Sequence, residues 1–320
     1  MGAAATPGRS GALRRPAQPD LDALPPLLAR LQAAGAPTAP HVAAVVAAAL
    51  AGDGEAIDEA IRGLRPAQRL GREALPDPLP CGPAVEAAVG GLGRALSPWE
   101  RRVLLAASVA VVDRIDAILL ALGLTMADVV GSPVSGCLRL TAGRFAFVDP
   151  RLRCWAHDSA SVAERTEVHA LLADAYARLG DEPRAVWHRA LATLEGDPAL
   201  VEPLLALAEA ADEAGDAEWA HAVAREAESH ADGVPTARAA LVAGVAALHG
   251  GLVDDAVVWL GEAALDPVAR ERALPLLLHA SALRTGLVAD AELDERLEAG
   301  PPPSAAALAR ACADAARHHA

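Results

Sequence analysis

The stretch Ala173-Asp-Ala-Tyr-Ala-Arg-Leu-Gly-Asp181 places a glycine at position 180, and an alanine, Ala185, follows five residues later. The same pair recurs as Gly215/Ala220, Gly251/Ala256 and Gly286/Ala291, at spacings of 35, 36 and 35 residues. In the first three units a second alanine follows seven positions on, at Ala192, Ala227 and Ala263; in the fourth, Glu298 holds that place. Apolar residues at helical spacing flank each glycine. The pattern predicts helix pairs. The glycine ends the first helix in a left-handed turn, and the alanines let the second helix approach closely. One such hairpin cannot bury its apolar face alone, so neighbouring pairs must stack. Residues 159–299 therefore read as four helix pairs.

Upstream, residues 76–158 carry a different pattern. A helix near 83–95 leads into Ser97-Pro98-Trp99-Glu100, a capping box with proline at the first helical position. The helix that it opens, over 98–111, turns Glu100, Arg101 and Arg102 outward and Val103, Leu104, Leu105 and Ala107 inward. A further helix over 113–123 has Ile115, Ile118, Leu119 and Leu122 on one face, and residues 125–130 add a short helical turn. Cys137-Leu-Arg-Leu140 and Arg144-Phe-Ala-Phe-Val148 then flank Thr141-Ala-Gly143, which predicts a β-hairpin with a three-residue loop. Asp149-Pro150 opens a helix near 150–157. Helices followed by one hairpin outline a winged-helix domain.

Towards the N-terminus, residues 21–75 contain helices near 21–34, 39–51 and 54–64. The prolines of Leu75-Pro-Asp-Pro-Leu-Pro80 then forbid a helix. Residues 1–20, rich in Gly, Pro, Ala and Arg, read as a disordered tail, and residues 300–320 as a proline linker and a C-terminal helix.

Composition bounds the chemistry. Of 320 residues, 53 % are hydrophobic, mostly Ala, Leu and Val, and 2 % are aromatic, a balance that favours helices packed through small side chains. Lysine is absent and all 28 basic residues are Arg, which removes any P-loop or Schiff-base lysine. The net charge is −14 and its distribution is uneven. Residues 83–158 hold 8 Arg and 7 acids, a net of +1, whereas residues 159–299 hold 10 Arg and 26 acids, a net of −16. Such acidity argues against nucleic-acid binding by the whole chain. Cys81, Cys137, Cys154 and Cys312 lie far apart without CxxC spacing, as expected of reduced thiols in a cytoplasmic protein. No apolar run reaches membrane-spanning length and the first residues lack the apolar core of a signal peptide.

A repeated helix–turn–helix unit of about 34 residues with these Gly and Ala offsets resembles the tetratricopeptide repeat. A wider resemblance covers roughly residues 65–300. Arg69-Leu-Gly71, Leu75-Pro-Asp-Pro-Leu-Pro80, Gly82, Arg101-Arg102 with Leu104-Leu105-Ala106-Ala107, Gly143-Arg-Phe-Ala-Phe-Val-Asp-Pro150, Ala163-Glu-Arg165, His169 and Trp187-His188 occur in one order. That order is similar to the middle of actinobacterial LuxR-type regulators, the MalT-like signal-transduction ATPases. The resemblance implies a winged helix followed by helical repeats, in a regulator of transcription. The chain departs from the family pattern at several places. It has no GxxxxGK[ST] loop, Gly52-Asp-Gly54 stands where the family has Gly-Asn-Pro, and Asp149 replaces the usual His before the proline. No helix-turn-helix follows the repeats. Residues 21–64 read either as a remnant of the ATPase lid or as a new helical cap.

Candidate chemistry is sparse. Ten histidines show no HExxH motif or His/Cys cluster; only His318 and His319 are adjacent. Asp254-Asp255 and Asp212-Glu213 are adjacent acids whose side chains diverge on a helix, so they read as solvated faces. Trp187, Trp219 and Trp259 fall early in successive second helices, either as packing between repeats or as the lining of a binding groove. Arg101, Arg102, Arg114, Arg139 and Arg144 are the residues through which a winged helix would touch phosphates. The expectation is a mainly α, non-catalytic regulatory protein without cofactor or metal. Its repeats bind a protein, a peptide or a small effector; the alternative is a regulator that contacts DNA through the winged helix.

Overall fold

The computed structural model describes residues 23–231 and 236–286. The expected tail over 1–20, Ala291 and the second helix of the fourth unit, the 300–320 linker and helix, Cys312 and His318-His319 lie outside the described residues. The described chain is mainly helical with one two-stranded sheet.

Four helices come first: α1 (Leu24–Ala33), α2 (Pro40–Ala49), α3 (Gly54–Gly63) and α4 (Pro66–Arg69). Asp53 caps α3, accepting from the backbone N–H groups of Glu55 and Ala56 at 3.1 and 3.2 Å. Leu31, Val42, Val46, Leu50, Ile57 and Ile61 are buried on their inner faces. A turn-rich segment follows, and then α5 (Pro83–Ala95), α6 (Pro98–Val109), α7 (Ile115–Leu122), α8 (Met126–Val130), α9 (Val134–Cys137), β1 (Leu138–Thr141), β2 (Arg144–Phe147) and α10 (Arg151–Asp158).

Three local expectations need correction. Glu100 is buried, because its carboxylate closes the capping box and accepts from the Ser97 N–H and hydroxyl at 2.7 and 2.6 Å. The hairpin loop has two residues, because Thr141 pairs with Arg144. Ala142 (φ 49°) and Gly143 (φ 78°) are both left-handed, the twist that joins two strands over two residues. The helix α9 was not expected in a stretch rich in Gly, Ser and Pro. Beyond β2, the segment between α6 and α7 adds backbone bonds to the hairpin: Phe145 N–H donates to the Asp113 carbonyl at 2.8 Å and Ile115 N–H to the Gly143 carbonyl at 3.0 Å.

The remaining helices are α11 (Val162–Arg178), α12 (Glu182–Leu191), α13 (Val201–Glu213), α14 (Ala217–Ser229), α15 (Ala237–His249), α16 (Val253–Ala263) and α17 (Arg270–Thr285). Each packs on the next. Gly180, Gly215, Gly251 and Gly286 have φ of 73°, 82°, 75° and 73°. At the first three the chain closes a two-bond helix end, in which the next residue's N–H reaches back to Tyr176, Ala211 or Ala247 at 2.8–2.9 Å. Ala185, Ala220 and Ala256 are fully buried on the second helices. So are Ala227 and Ala263, whereas Ala192 sits just past the end of α12 and is half-buried.

One hydrophobic cluster extends from Leu31 through α5–α10 to Val168, Leu172, Tyr176 and Ala185. The N-terminal helices, the hairpin-bearing bundle and the first helix pair thus share a core. Smaller clusters, rich in alanine, join α12 to α17.

Candidate interaction surface

The three repeat tryptophans act at the seams between helix pairs. Trp187 on α12 and Trp219 on α14 meet edge to face, with ring centroids 4.6 Å apart and planes at 66°. Trp259 on α16 packs against the two clusters on either side of it. All three are half-buried. Each ring holds neighbouring pairs together and keeps one edge at the surface.

The five candidate arginines divide into two places. Arg101 and Arg102 line a cleft of about 620 Å³ between α6, α7, α10 and α11, together with Trp99, Trp155, Glu164 and Glu167. Arg101 donates to the Leu96 carbonyl at 2.6 Å and Arg102 pairs with Glu167. Arg114, Arg139 and Arg144 belong to the hairpin side. Arg114 pairs with Asp116 and Arg144 with Asp113, each at 2.5 Å. Arg139 is exposed on β1 and has no ion-pair partner among the described residues.

Two buried polar groupings were not legible in the sequence. In the first, His169 and His188 face each other, and Tyr176 stacks on His188 with ring centroids 5.4 Å apart. Burial lowers the His169 pKa to about 4 and holds His188 well below its ordinary value. Burial likewise raises the Tyr176 phenol to about 12.

The second grouping corrects the reading of Asp254-Asp255 as a solvated face. Both carboxylates are only about one-fifth exposed and engage a segment 182 and 181 residues earlier. Arg72 donates to Asp254 at 2.9 Å, and the Ala74 N–H donates to Asp255 at 2.9 Å. In return the Asp254 N–H donates to the Arg72 carbonyl at 3.0 Å. Below Asp255 lies the buried His221, with Nε2 at 3.4 Å and Nδ1 2.9 Å from the Ala243 carbonyl. Burial works to raise the Asp255 pKa, but the neighbouring His221 and the hydrogen bond from the Ala74 N–H outweigh it and hold the carboxyl below its ordinary value. The only hint in the sequence was a pair of acids in the first turn after a helix-ending glycine; their partner is too remote for any periodic signal.

Among the described residues no three His, Cys, Asp or Glu side chains are grouped as a metal site would require, and no helix is long and apolar enough to cross a membrane. No protein-family model matches the chain, and comparisons with curated proteins and with solved structures find no significant match.

Proposed function

We propose that this chain is a non-catalytic regulatory protein whose stacked helix pairs bind a protein or peptide partner, or a small effector, in the cytoplasm. The observation that carries this reading is the serial packing of α11–α17 through fully buried alanines at Gly-ended turns. That construction creates a long surface and little interior, and the surface is acidic, which suits a basic or apolar segment. The hairpin-bearing bundle α5–α10, read as a winged helix, supports the likeness to the middle of LuxR-type regulators. On this reading the chain acts in transcriptional control, without the phosphate loop of those proteins.

A second reading, DNA contact through the winged helix, rests on Arg139, which stands exposed on the hairpin. It is the weaker reading because Arg114 and Arg144 are already neutralised by Asp116 and Asp113.

Site-specific photo-crosslinking in host lysate tests both. A photoreactive residue goes at exposed Val258 on α16 or Leu283 on α17, and a third at exposed Val148 beyond β2. A single polypeptide captured at Val258 or Leu283 in nuclease-treated lysate supports the adaptor. Capture of DNA at Val148 and of nothing on α16 or α17 replaces it with the DNA reader.

A further inference from the structure

We propose that the first turn of α16, with Asp254 and Asp255, is a recognition site for an extended peptide of the form Arg-x-small, and that Arg72–Ala74 occupy it as a built-in competitor. The proposal rests on the peptide-binding reading above and assigns that reading a place and a partner chemistry.

The occupant is held as a peptide ligand is held. Two of its three bonds use backbone atoms: the Arg72 carbonyl accepts from the Asp254 N–H at 3.0 Å and the Ala74 N–H donates to Asp255 at 2.9 Å. Backbone bonds of this kind are made with any extended segment and supply affinity without selectivity. Selectivity comes from the third bond, Arg72 to Asp254 at 2.9 Å, and from the size of residue 74. The Ala74 methyl packs on the cluster that contains Leu252, Ala256 and Val257, where a longer side chain has less room.

The site itself is built to accept. The first N–H groups of a helix lack partners within it and need a cap. Asp216 caps α14 and Thr236 caps α15 through their side chains, but α16 has no side-chain cap. The carbonyl of Arg72 does that work instead. Asp255 is set from below by His221, which is 1 % exposed and whose Nε2 makes no hydrogen bond of normal length. Its Nδ1 lies 2.9 Å from the Ala243 carbonyl, which leaves Nε2 turned towards the carboxylate. His221 is thus a buried polar group aimed into the site, directly beneath the carboxylate that receives the Ala74 N–H. Arg225, one turn along α14, adds a positive charge that acts on Asp255.

The occupant is a loop tethered at both ends, and its Arg72 N–H donates to the Ala67 carbonyl at 2.9 Å. It belongs to a segment without helix or strand between α4 and α5. From its own side it is steadied by Gln68, which donates to the Ala74 carbonyl at 2.9 Å, and by an Arg65–Glu73 ion pair at 2.8 Å. A tethered segment competes at a high effective concentration, so a free peptide enters only when the tethered copy is weakened. The net charge of −16 over residues 159–299 favours an arginine-bearing entrant.

The test is fluorescence anisotropy with a labelled synthetic peptide of residues 70–77, titrated with the full chain. Wild type is expected to bind it weakly, Arg72→Ala at least tenfold more tightly, and Arg72→Ala combined with Asp254→Asn no better than wild type. A peptide carrying alanine in place of its arginine should not bind. Hydrogen exchange on the same proteins reads the amides of Ala74 and Asp254, and circular dichroism confirms that each is folded. Should those amides stay as protected in Arg72→Ala as in wild type, the segment is a fixed part of the fold and the proposal fails. Should they become exposed without any gain in peptide binding, the site recognises nothing and the proposal also fails. A partner crosslinked at Val258 or Leu283 in either of those cases leaves the adaptor reading standing while removing this site.

Discussion

His169 and His188 lie Nδ1 to Nδ1 at 2.9 Å inside the first helix pair, so one nitrogen must donate while the other accepts. A second proton on the accepting ring would set two N–H groups against each other in a site closed to water. The pair is therefore a place where acid acts on the fold.

The sign follows from linkage. A folded-state pKa near 4 for His169 lies below the ordinary value near 6.5, so the unfolded chain binds the proton first. Stability is intact above pH 6.5, falls as the pH drops towards 4, and loses nothing further from this group below that. At pH 5.5 the loss from His169 is on the order of 1 kcal/mol, and His188 acts in the same direction. The urea midpoint should fall between pH 7 and pH 5.5 in wild type. It should fall much less in the double variant His169→Gln, His188→Gln. An equal fall in both would remove the pair from the explanation.

The capping box at the start of α6 should matter more than its position near a helix end suggests. Glu100→Ala removes the acceptor for two Ser97 donors in a buried setting, at a cost of about 1–2 kcal/mol. Glu100→Gln keeps a carbonyl oxygen for the Ser97 N–H and should lose less. Urea denaturation of the two variants beside wild type measures the difference; identical midpoints would show that the cap is idle.

Alanine in the second helices is a matter of space. Ala220→Leu forces three extra carbons into a fully buried position and should destabilise by about 1–3 kcal/mol. Ala192→Leu, at the half-buried second alanine of the first unit just past the end of α12, should be close to neutral. Thermal unfolding of both variants decides whether the repeated alanine is a steric requirement or only a helix former.

The thiols of the described residues should be inert. Burial pushes the Cys154 pKa up to about 12, and burial with nearby Asp158, Glu86 and Glu59 pushes that of Cys81 to about 11. Since the thiolate is the reactive form, iodoacetamide at pH 8 should leave Cys154 unmodified in the folded protein and label it in urea. Peptide mass spectrometry separates it from Cys312. Fast labelling of native Cys154 would contradict the burial described here.

Local rules explain what the sequence revealed. A left-handed helix end and a close-packed second helix both leave marks within seven residues, so Gly180, Gly215, Gly251 and their alanines could be read directly. The strands of the hairpin were visible in the alternation around Phe145 and Phe147. Its loop length is ambiguous in the sequence because Thr141 has loop chemistry as well as strand chemistry, and only the register with Arg144 settles it. Periodicity treats the charge of Glu100 as exposed, whereas here the charge is the cap. Helix α9 hides among Pro133, Ser135 and Gly136. The His169–His188 pair and the contact of Arg72 with Asp254 depend on how distant segments meet, which no spacing in the chain encodes.

That last contact alters the mechanics of the whole chain. A row of stacked helix pairs fixed at one end behaves as a spring, since each pair leans only on its neighbours. Here the row is seated in the large core at α11 and tied again at α16 by Arg72 and Ala74. The helices between the two anchors form a closed ring, so stretching or twisting any one of them loads the tie. Whatever loosens the tie returns the row to the freedom of an open coil.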